Sequence, residues 1–313
     1  MKTKNATMTR QEFLKTSAAV LGLGFSGVAA SPSKGSPTGQ EKSAAPLPAR
    51  ILGRSGLSVS VLGFGASRTM EPELVRAGLD GGINWVDTGR SYFNGRNEIM
   101  VGKVVEGRRK DVVIQSKFRL GTAESAGAVL SAEDVSKLKK TMDSSIETSL
   151  KALGTDYIDI LLIHGASSPE LVHHEAVLEF FDKAKKSGKI RAHGFSSHSN
   201  QIALLKEATR RGFYDVVMAP YNHKGSYIHS NTGQYAEWDQ KALEAAMDEA
   251  KAKGIGLVAM KTCSGGPYAP DSTAAPSFEG ALRWLHLEGK AHAMAVAIAS
   301  FDQLEEDLRS VRK

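Results

Sequence analysis

Residues 83–92 read Ile-Asn-Trp-Val-Asp-Thr-Gly-Arg-Ser-Tyr, a short apolar run followed by polar residues and a glycine. The pattern predicts a buried strand that gives way to a loop near Asp87, with Tyr92 five positions further along. Two more apolar runs end in an ionisable residue, one at Lys117 and one at His164. The carboxyl ends of the strands meet at one mouth in a parallel barrel, so these four side chains are expected to share a pocket.

Apolar runs and amphipathic stretches alternate along the chain from Arg50 onward, as they do in a parallel sheet with covering helices. A helical pattern runs from 130 to 153 and stops at Gly154, for example. The α/β order and the length favour a single (β/α)₈ TIM barrel at 50–313, opened by a β-hairpin at 51–59. The eight predicted strands are 61–65, 84–87, 112–116, 158–163, 190–195, 216–219, 256–260 and 293–298.

A doubly wound dinucleotide-binding fold is the alternative architecture. Gly63-Phe64-Gly65 follows the first strand, and Asp87 lies about twenty residues later, as in that fold's fingerprint. Arg68 stands where the third glycine belongs, and eight evenly spaced units do not divide into two halves. The barrel is therefore the stronger prediction.

The amino terminus differs from the rest of the chain. Residues 1–30 combine a basic start, an apolar stretch rich in alanine and glycine, and small residues before Ser31, which is typical of an export signal. The stretch around Arg10 resembles a twin-arginine signal, except that Gln11 replaces the second arginine. Residues 31–49 read as a flexible linker. We expect a soluble, exported, periplasmic protein without stable membrane insertion once the signal is removed; a cytoplasmic location is the alternative.

The net charge of +6 does not point to nucleic acid. Residues 1–46 hold six basic and two acidic residues and so account for +4, which leaves a nearly neutral body without a basic cluster. The single cysteine, Cys263, excludes an intrachain disulfide and a cysteine-built metal site. A lone cysteine is more often a small buried apolar residue. The sequence makes no prediction of oligomeric state.

Six short strings stand in register at strand ends: Gly63-Phe64-Gly65, Asp87-Thr88-Gly89-Arg90-Ser91-Tyr92, Lys117, Leu162-Ile163-His164, Gly194-Phe195-Ser196-Ser197 and Tyr221-Asn222. In this order they resemble the aldo-keto reductases, and the likeness covers nearly everything after Arg50. The resemblance implies a (β/α)₈ barrel that binds a nicotinamide cofactor over its mouth and reduces an aldehyde or ketone, including sugar-like carbonyls.

Carbonyl reduction needs a hydride from a cofactor and a proton for the oxygen as it becomes an alkoxide. Tyr92 is the expected proton donor. An ammonium at Lys117 stabilises phenolate and so lowers the pKa of the phenol, and Asp87 supplies the counter-charge that a buried lysine needs. His164, as a neutral imidazole, can orient the carbonyl and stabilise the developing charge. No metal is expected.

The resemblance also implies cofactor contacts. Ser196 matches the family serine that reaches the nicotinamide carboxamide, whereas Ser197 replaces an asparagine and Met218 replaces a glutamine. In the turn after the seventh strand, Met260 takes the place of a stacking aromatic ring, and this Met-Lys version occurs in bacterial branches of the family. The same turn offers an ammonium and backbone N–H groups to a pyrophosphate through Lys261, Ser264, Gly265 and Gly266.

The last strand and the residues after it resemble the family's adenosine-binding segment. Glu306 and Asp307 stand in the places of its Glu-Asn pair. No arginine lies between Ser300 and Asp307 to clamp a ribose 2′-phosphate. NADP is therefore expected from family habit, with NAD possible, and the contacts expected from this segment are Ser300, Gln303, Glu306 and Asp307.

Three other functions remain as alternatives. A barrel metal hydrolase could use His164, His198 and His223 as zinc ligands. An aldolase could use Lys117 or Lys261 as a Schiff-base nucleophile. A non-catalytic barrel could hold the nicotinamide cofactor as a regulatory module.

Overall fold

The structure is a computed structural model that describes residues 47–125, 129–228, 233, 235–269 and 273–312. The predicted export signal at 1–30 and most of the predicted linker lie outside the described residues. The last residues of that linker belong to the folded unit, because Leu47 is buried and Ala49 begins a strand.

A two-stranded hairpin closes one end of the molecule. Strand β1 (Ala49–Ile51) pairs antiparallel with β2 (Ser58–Ser60), as the sequence predicts. Leu52, Leu57 and Val59 are buried in one cluster with apolar residues of the barrel interior. The turn also bonds the start of a barrel strand through Arg54 N–H and Gly254 O at 2.6 Å. The hairpin therefore plugs the barrel at the amino ends of its strands.

Eight parallel strands form a closed barrel, which excludes the doubly wound alternative. All eight predicted strands are present, with ends shifted by up to two residues. The largest shift extends the third barrel strand past Ser116, so that Lys117 lies within it. The barrel strands are β3 (Leu62–Gly65), β4 (Trp85–Asp87), β5 (Val113–Phe118), β6 (Ile158–His164), β7 (Ile190–Ser196), β8 (Val216–Pro220), β11 (Gly256–Met260) and β12 (Ala293–Ala297).

The glycines of Gly63-Phe64-Gly65 serve close packing of the barrel. A Cβ on Gly63 would lie 2.1 Å from the indole of Trp85, and one on Gly65 would lie 2.6 Å from the carbonyl oxygen of Val296. Trp85 fills the barrel interior and donates from Nε1 to Ser60 O at 2.8 Å. The string that mimics a phosphate loop is thus explained by the approach of neighbouring strands.

Amphipathic helices cover the outside of the barrel. The helix predicted at 130–153 runs from Ala132 to Leu153, where a Ser131–Asp134 capping box begins it and Gly154, with φ of 63°, ends it. No helix within the described ranges is long and apolar enough to cross a membrane. The helices are α1 (Pro72–Asp80), α2 (Arg96–Val105), α3 (Ala132–Leu153), α4 (Pro169–Val172), α5 (Glu175–Lys186), α6 (Gln201–Arg211), α7 (Gln240–Ala252), α8 (Phe278–Leu287) and α9 (Phe301–Arg312).

A second hairpin, β9 (Ser226–Ile228) with β10 (Tyr235–Glu237), follows β8 at the carboxyl ends of the strands. Tyr227 joins it to the mouth of the barrel. Its hydroxyl donates to His198 O at 3.0 Å, and its ring lies 5.3 Å from Lys261 Nζ. The hairpin therefore spans between the loops that follow β7 and β11.

Candidate active site

The four ionisable residues singled out from the sequence line one cavity at the carboxyl ends of the strands, with a volume of about 620 Å³. Asp87 ends β4, Lys117 lies near the end of β5, and His164 ends β6. Tyr92 begins a 3-10 turn in the loop after β4. Because β4, β5 and β6 are neighbours in the barrel, residues up to 77 positions apart in sequence meet here.

A buried ion pair forms the floor of the site. Lys117 Nζ donates to Asp87 Oδ1 at 2.5 Å and to Thr88 O at 2.8 Å. Only 1% of Lys117 and 3% of Asp87 is exposed. The ammonium also lies 4.8 Å from the centre of the Tyr92 ring. Each charge is thus compensated by the other at a place where little of either side chain contacts water.

The electrostatics keep both Lys117 and Tyr92 protonated. Burial lowers the pKa of the Lys117 ammonium, but Asp87 and Tyr92 together raise it more, so its pKa lies above the ordinary value. Burial raises the pKa of the Tyr92 phenol, and Lys117 offsets only part of that rise. The expectation that Lys117 lowers the pKa of the phenol therefore describes the smaller of two opposing effects, because desolvation of phenolate outweighs the nearby ammonium.

His164 faces the same cavity as a neutral imidazole. Burial and the charges of Lys117 and Arg119 lower its pKa to about 2. Its Nδ1 lies 3.1 Å from Ser91 Oγ, and its ring meets the ring of Tyr92 edge-on at 5.7 Å between centroids. If the Ser91 hydroxyl donates a hydrogen bond to Nδ1, the ring proton of the neutral imidazole lies on Nε2.

Gln115 belongs to the site, although the sequence analysis missed it. It lies two positions before Lys117 on the same strand, so its side chain points to the same face of the sheet. Its Nε2 donates to Asp87 Oδ1 at 2.6 Å, the oxygen that also accepts from Lys117. The period of two along β5 is the signal that could have found it.

The loop that carries Tyr92 is strained next to the phenol. Phe93 and Asn94 adopt left-handed backbone conformations, with φ of 49° and 55°. Such conformations cost free energy in residues with a Cβ and concentrate at functional sites. The turn is held from below by Arg90, whose Nη1 donates to the buried Glu98 Oε2 at 2.6 Å.

The expected cofactor contacts divide into two groups. One group lines the same cavity as the four ionisable residues: Ser196, Met218, Met260, Lys261, Ser264 and Gln303. The other group does not line it: Ser197, Gly265, Gly266, Ser300, Glu306 and Asp307.

Local hydrogen bonds hold most of the second group. Ser197 Oγ donates to Ser199 O, and Ser300 Oγ accepts from Gln303 N–H at 3.2 Å. Glu306 Oε1 accepts from Glu279 N–H at 3.2 Å. Asp307 is 2% exposed and one of its carboxylate oxygens has no hydrogen-bond partner. Burial, and Glu306 beside it, raise the pKa of Asp307 to about 8.

Two further cations, Arg68 and Lys261, line the cavity and interact electrostatically. Arg68 follows β3 and Lys261 follows β11, and both line the cavity. Neither has an ion pair among the residues that the structure describes. Burial and the charge of Arg68 lower the pKa of Lys261, whose backbone is also left-handed, with φ of 58°. An anion between the two would relieve their repulsion.

The three histidines of the hydrolase alternative are not brought together. His164 and His198 have ring centroids 6.5 Å apart. His223 lies elsewhere, against Tyr268 at 4.8 Å and Trp284 at 6.3 Å. Across the described ranges, no three or more histidine, cysteine, aspartate or glutamate side chains are grouped so that they could hold a metal ion.

Two proteins with similar sequences are an oxidoreductase and a reductase, each from a bacterium. A relative from Bacillus subtilis, the uncharacterized oxidoreductase YqkF, is 29% identical over 178 residues, which are 55% of this chain and 56% of that protein. The 6-dehydroglucose reductase of Novosphingobium aromaticivorans is 33% identical over 178 residues, with 51% and 56% covered. The chain thus spans about half the length of these curated relatives.

Solved structures show the same fold. The holo form of aldo-keto reductase AKR11C1 from Bacillus halodurans superposes with a TM-score of 0.65 at 23% identity, over 85% of this chain and 91% of that one. A family model for the Aldo/keto reductase family matches residues 65–306. Because this match covers well over half of the chain, the protein belongs to the aldo/keto reductase family.

Proposed function

We propose that the protein reduces an aldehyde or ketone to the alcohol with a reduced nicotinamide cofactor. The observation that carries the proposal is the convergence of Asp87, Tyr92, Lys117 and His164 on one cavity. A phenol, an ammonium and an imidazole placed together can supply a proton and stabilise charge on a carbonyl oxygen. The name of the 6-dehydroglucose reductase makes a sugar-like carbonyl a reasonable first candidate for the substrate.

Tyr92 is the proposed proton donor. Its raised pKa keeps the phenol protonated at neutral pH, as a donor must be before the reaction. As the proton leaves, the buried phenolate gains the attraction of the Lys117 ammonium. Asp87 holds that ammonium in place and keeps it charged.

His164 is the proposed orienting group for the carbonyl. With its pKa lowered to about 2, the imidazole is neutral at physiological pH. It can then donate a hydrogen bond to the carbonyl oxygen, while Tyr92 remains the group that gives up a proton. In this proposal the Ser91 hydroxyl donates to Nδ1, which leaves the ring proton on Nε2. Such a donor stabilises the oxygen as negative charge develops on it.

A nicotinamide dinucleotide, which would supply the hydride when bound, fits the charges of the cavity. Arg68 and Lys261 are two neighbouring cations without a carboxylate partner in the described part of the chain, and a pyrophosphate carries two negative charges. Ser196, Met218 and Met260 line the same wall and would contact the rest of the cofactor. We propose NADP as the preferred form; fluorescence titration with NADPH and NADH tests this, and equal affinities would remove the preference.

Turnover is tested by following the absorbance of NADPH with a panel of aldehydes, ketones and sugars. Tyr92→Phe should lower kcat by at least about a hundredfold and leave the Kd for NADPH nearly unchanged, because it removes only the proton donor. Tyr235→Phe is the matched control, since that hydroxyl is exposed and bonds Glu237 outside the cavity. Tight NADPH binding without turnover by the unmodified protein would favour the regulatory alternative.

We also propose that residues 1–30 direct export to the periplasm. The support is the composition of the segment, with its basic start, apolar centre and small residues before Ser31. Expression of the full chain in a bacterium, followed by fractionation and sequencing of the mature amino terminus, tests this. Cytoplasmic protein that still begins at Met1 would contradict export.

A further inference from the structure

Arg119 faces the cavity but has no part in the proposed reduction. It follows β5 directly and lies two residues beyond Lys117. About half of its side chain is exposed, and the residue lines the cavity together with Ser91, Tyr92 and His164. A positive charge at this place can influence which substrates bind in the cavity.

The guanidinium of Arg119 pairs with a glutamate further along the same loop. Nη1 of Arg119 donates to Glu124 Oε2 at 3.0 Å, while the other oxygen of Glu124 accepts from Leu120 N–H at 2.9 Å. Within the described ranges this is the one hydrogen bond that the guanidinium makes. A guanidinium has five N–H groups in a fixed plane, so four remain for another acceptor.

The same guanidinium lies beside the proposed orienting group. Its Nη1, Nη2 and Cζ atoms are 3.5, 3.7 and 3.8 Å from the place that a Cβ on Gly165 would occupy. Gly165 directly follows His164. Through space, the charge of Arg119 is one of the causes that lower the pKa of His164. An acceptor bound to Arg119 would therefore lie near a carbonyl bound at His164.

Four cationic side chains line the cavity, and they fall into three separate places. Lys261 follows β11, which lies across the closed barrel from β5, and Arg68 is its neighbour. Those two cations would hold the pyrophosphate of the proposed cofactor. The charge of Lys117 is matched by Asp87. Arg119 stands apart from both sets, on the side of Tyr92 and His164.

We propose that Arg119 determines specificity by binding a carboxylate on the substrate, so that the substrate class is aldehydes or ketones that carry a carboxylate. The inference rests on the proposed reductase function. A single guanidinium that already shares charge with Glu124 suits a monoanion better than a doubly charged phosphate. The planar fork also matches the two oxygens of a carboxylate.

The test compares acids with neutral esters of the same shape. We would measure kcat/KM with NADPH for 3- and 4-carboxybenzaldehyde and for their methyl esters. The unmodified protein should prefer at least one acid over its ester by about tenfold or more, because a charge-assisted pair forms only with the acid. Arg119→Met should bring that ratio close to one through loss of activity on the acid, because the neutral ester makes no charge-assisted pair with Arg119.

Two variants make the comparison specific. Arg210→Met is the matched control, because Arg210 is an exposed arginine paired with a glutamate on α6, outside the cavity. It should leave the preference intact. Glu124→Gln should increase the preference for the acid, because it removes the carboxylate that competes for the guanidinium.

The outcomes separate the two proposals. Reduction of acids and esters at equal rates, or a preference that survives Arg119→Met, overturns the role of Arg119 and leaves the reductase function standing. Absence of NADPH oxidation with these four aldehydes and with the wider carbonyl panel overturns the reductase function, and the role of Arg119 falls with it.

Discussion

Replacing Asp307 with asparagine is expected to stabilise the protein at neutral pH. Asp307 is buried on α9 beside Cys263, with an unpartnered carboxylate oxygen. Burial, and Glu306 second, raise its pKa from 3.8 to about 8. The folded state therefore holds a proton that the unfolded chain releases above its own pKa of about 4. Stability from this group is complete below that value and is lost as pH rises towards 8.

The size of the effect follows from the two pKa values. Each pKa unit corresponds to about 1.4 kcal/mol, and pH 7 lies about three units above the pKa of the unfolded carboxyl. Keeping Asp307 protonated in the folded state therefore lowers the free energy of unfolding by up to about 4 kcal/mol near pH 7. Asparagine has the same shape and no proton to hold, but a buried amide without partners costs about 1–3 kcal/mol. The net gain for Asp307→Asn should be about 1–3 kcal/mol at pH 7, or several degrees in Tm.

The assay is thermal or denaturant unfolding of both proteins across a pH series. The advantage of Asp307→Asn should shrink steadily on acidification and be gone, or reversed, near pH 4. At that pH the unfolded state of the unmodified protein also begins to hold the proton on Asp307, so the carboxyl no longer favours unfolding. Asp302→Asn is the control, as Asp302 is an exposed carboxylate on the same helix. A difference between Asp307→Asn and the unmodified protein that is constant across pH would refute the reasoning.

Three further predictions concern the floor of the site. Lys117→Met should destabilise the protein by about 3–5 kcal/mol and abolish turnover, because it leaves Asp87 buried without its partner; adding Asp87→Asn should restore stability in urea unfolding but not activity. For reduction, kcat/KM should stay flat from about pH 5 to about pH 10 and fall only above that, since His164 is neutral throughout and the pKa of Tyr92 lies above its ordinary value of 10; an acidic limb near pH 6.5 would contradict a neutral imidazole. Gln115→Met should lower kcat by about threefold to tenfold with KM unchanged in steady-state kinetics, since it removes a hydrogen bond to Asp87; an altered KM with unchanged kcat would place Gln115 in substrate binding instead.

The sequence predicts the barrel and the floor of its site because both depend on local patterns. Buried parallel strands are short apolar runs, and the first polar residues after them mark the carboxyl ends. Asp87 and His164 follow from this rule, and Lys117 follows from its place three residues after the apolar run 112–114. Tyr92 could be placed at the same mouth because it lies five residues after Asp87, the last residue of β4.

Contacts between distant loops escape the same reasoning. The pairing of Arg119 with Glu124 and the approach of Arg68 to Lys261 depend on where the loops after β3, β5 and β11 turn. The rise in the pKa of Tyr92 depends on how far the folded chain removes the phenol from water, which no local pattern records. Asp307 was expected from the sequence to contact a cofactor, but it is buried outside the cavity. Its burial likewise depends on how distant parts of the chain pack together.

The hairpin of β1 and β2 determines the face of the barrel at which the described chain begins. Leu47 enters the fold at the base of the barrel, beside strands that start there, while the cavity opens at the other end. An affinity tag, a fusion partner or a surface linkage joined directly to Leu47 would leave from the face opposite the entrance. Immobilised in this way, the protein would turn its opening towards bulk liquid, so reagents would reach it unhindered by the support.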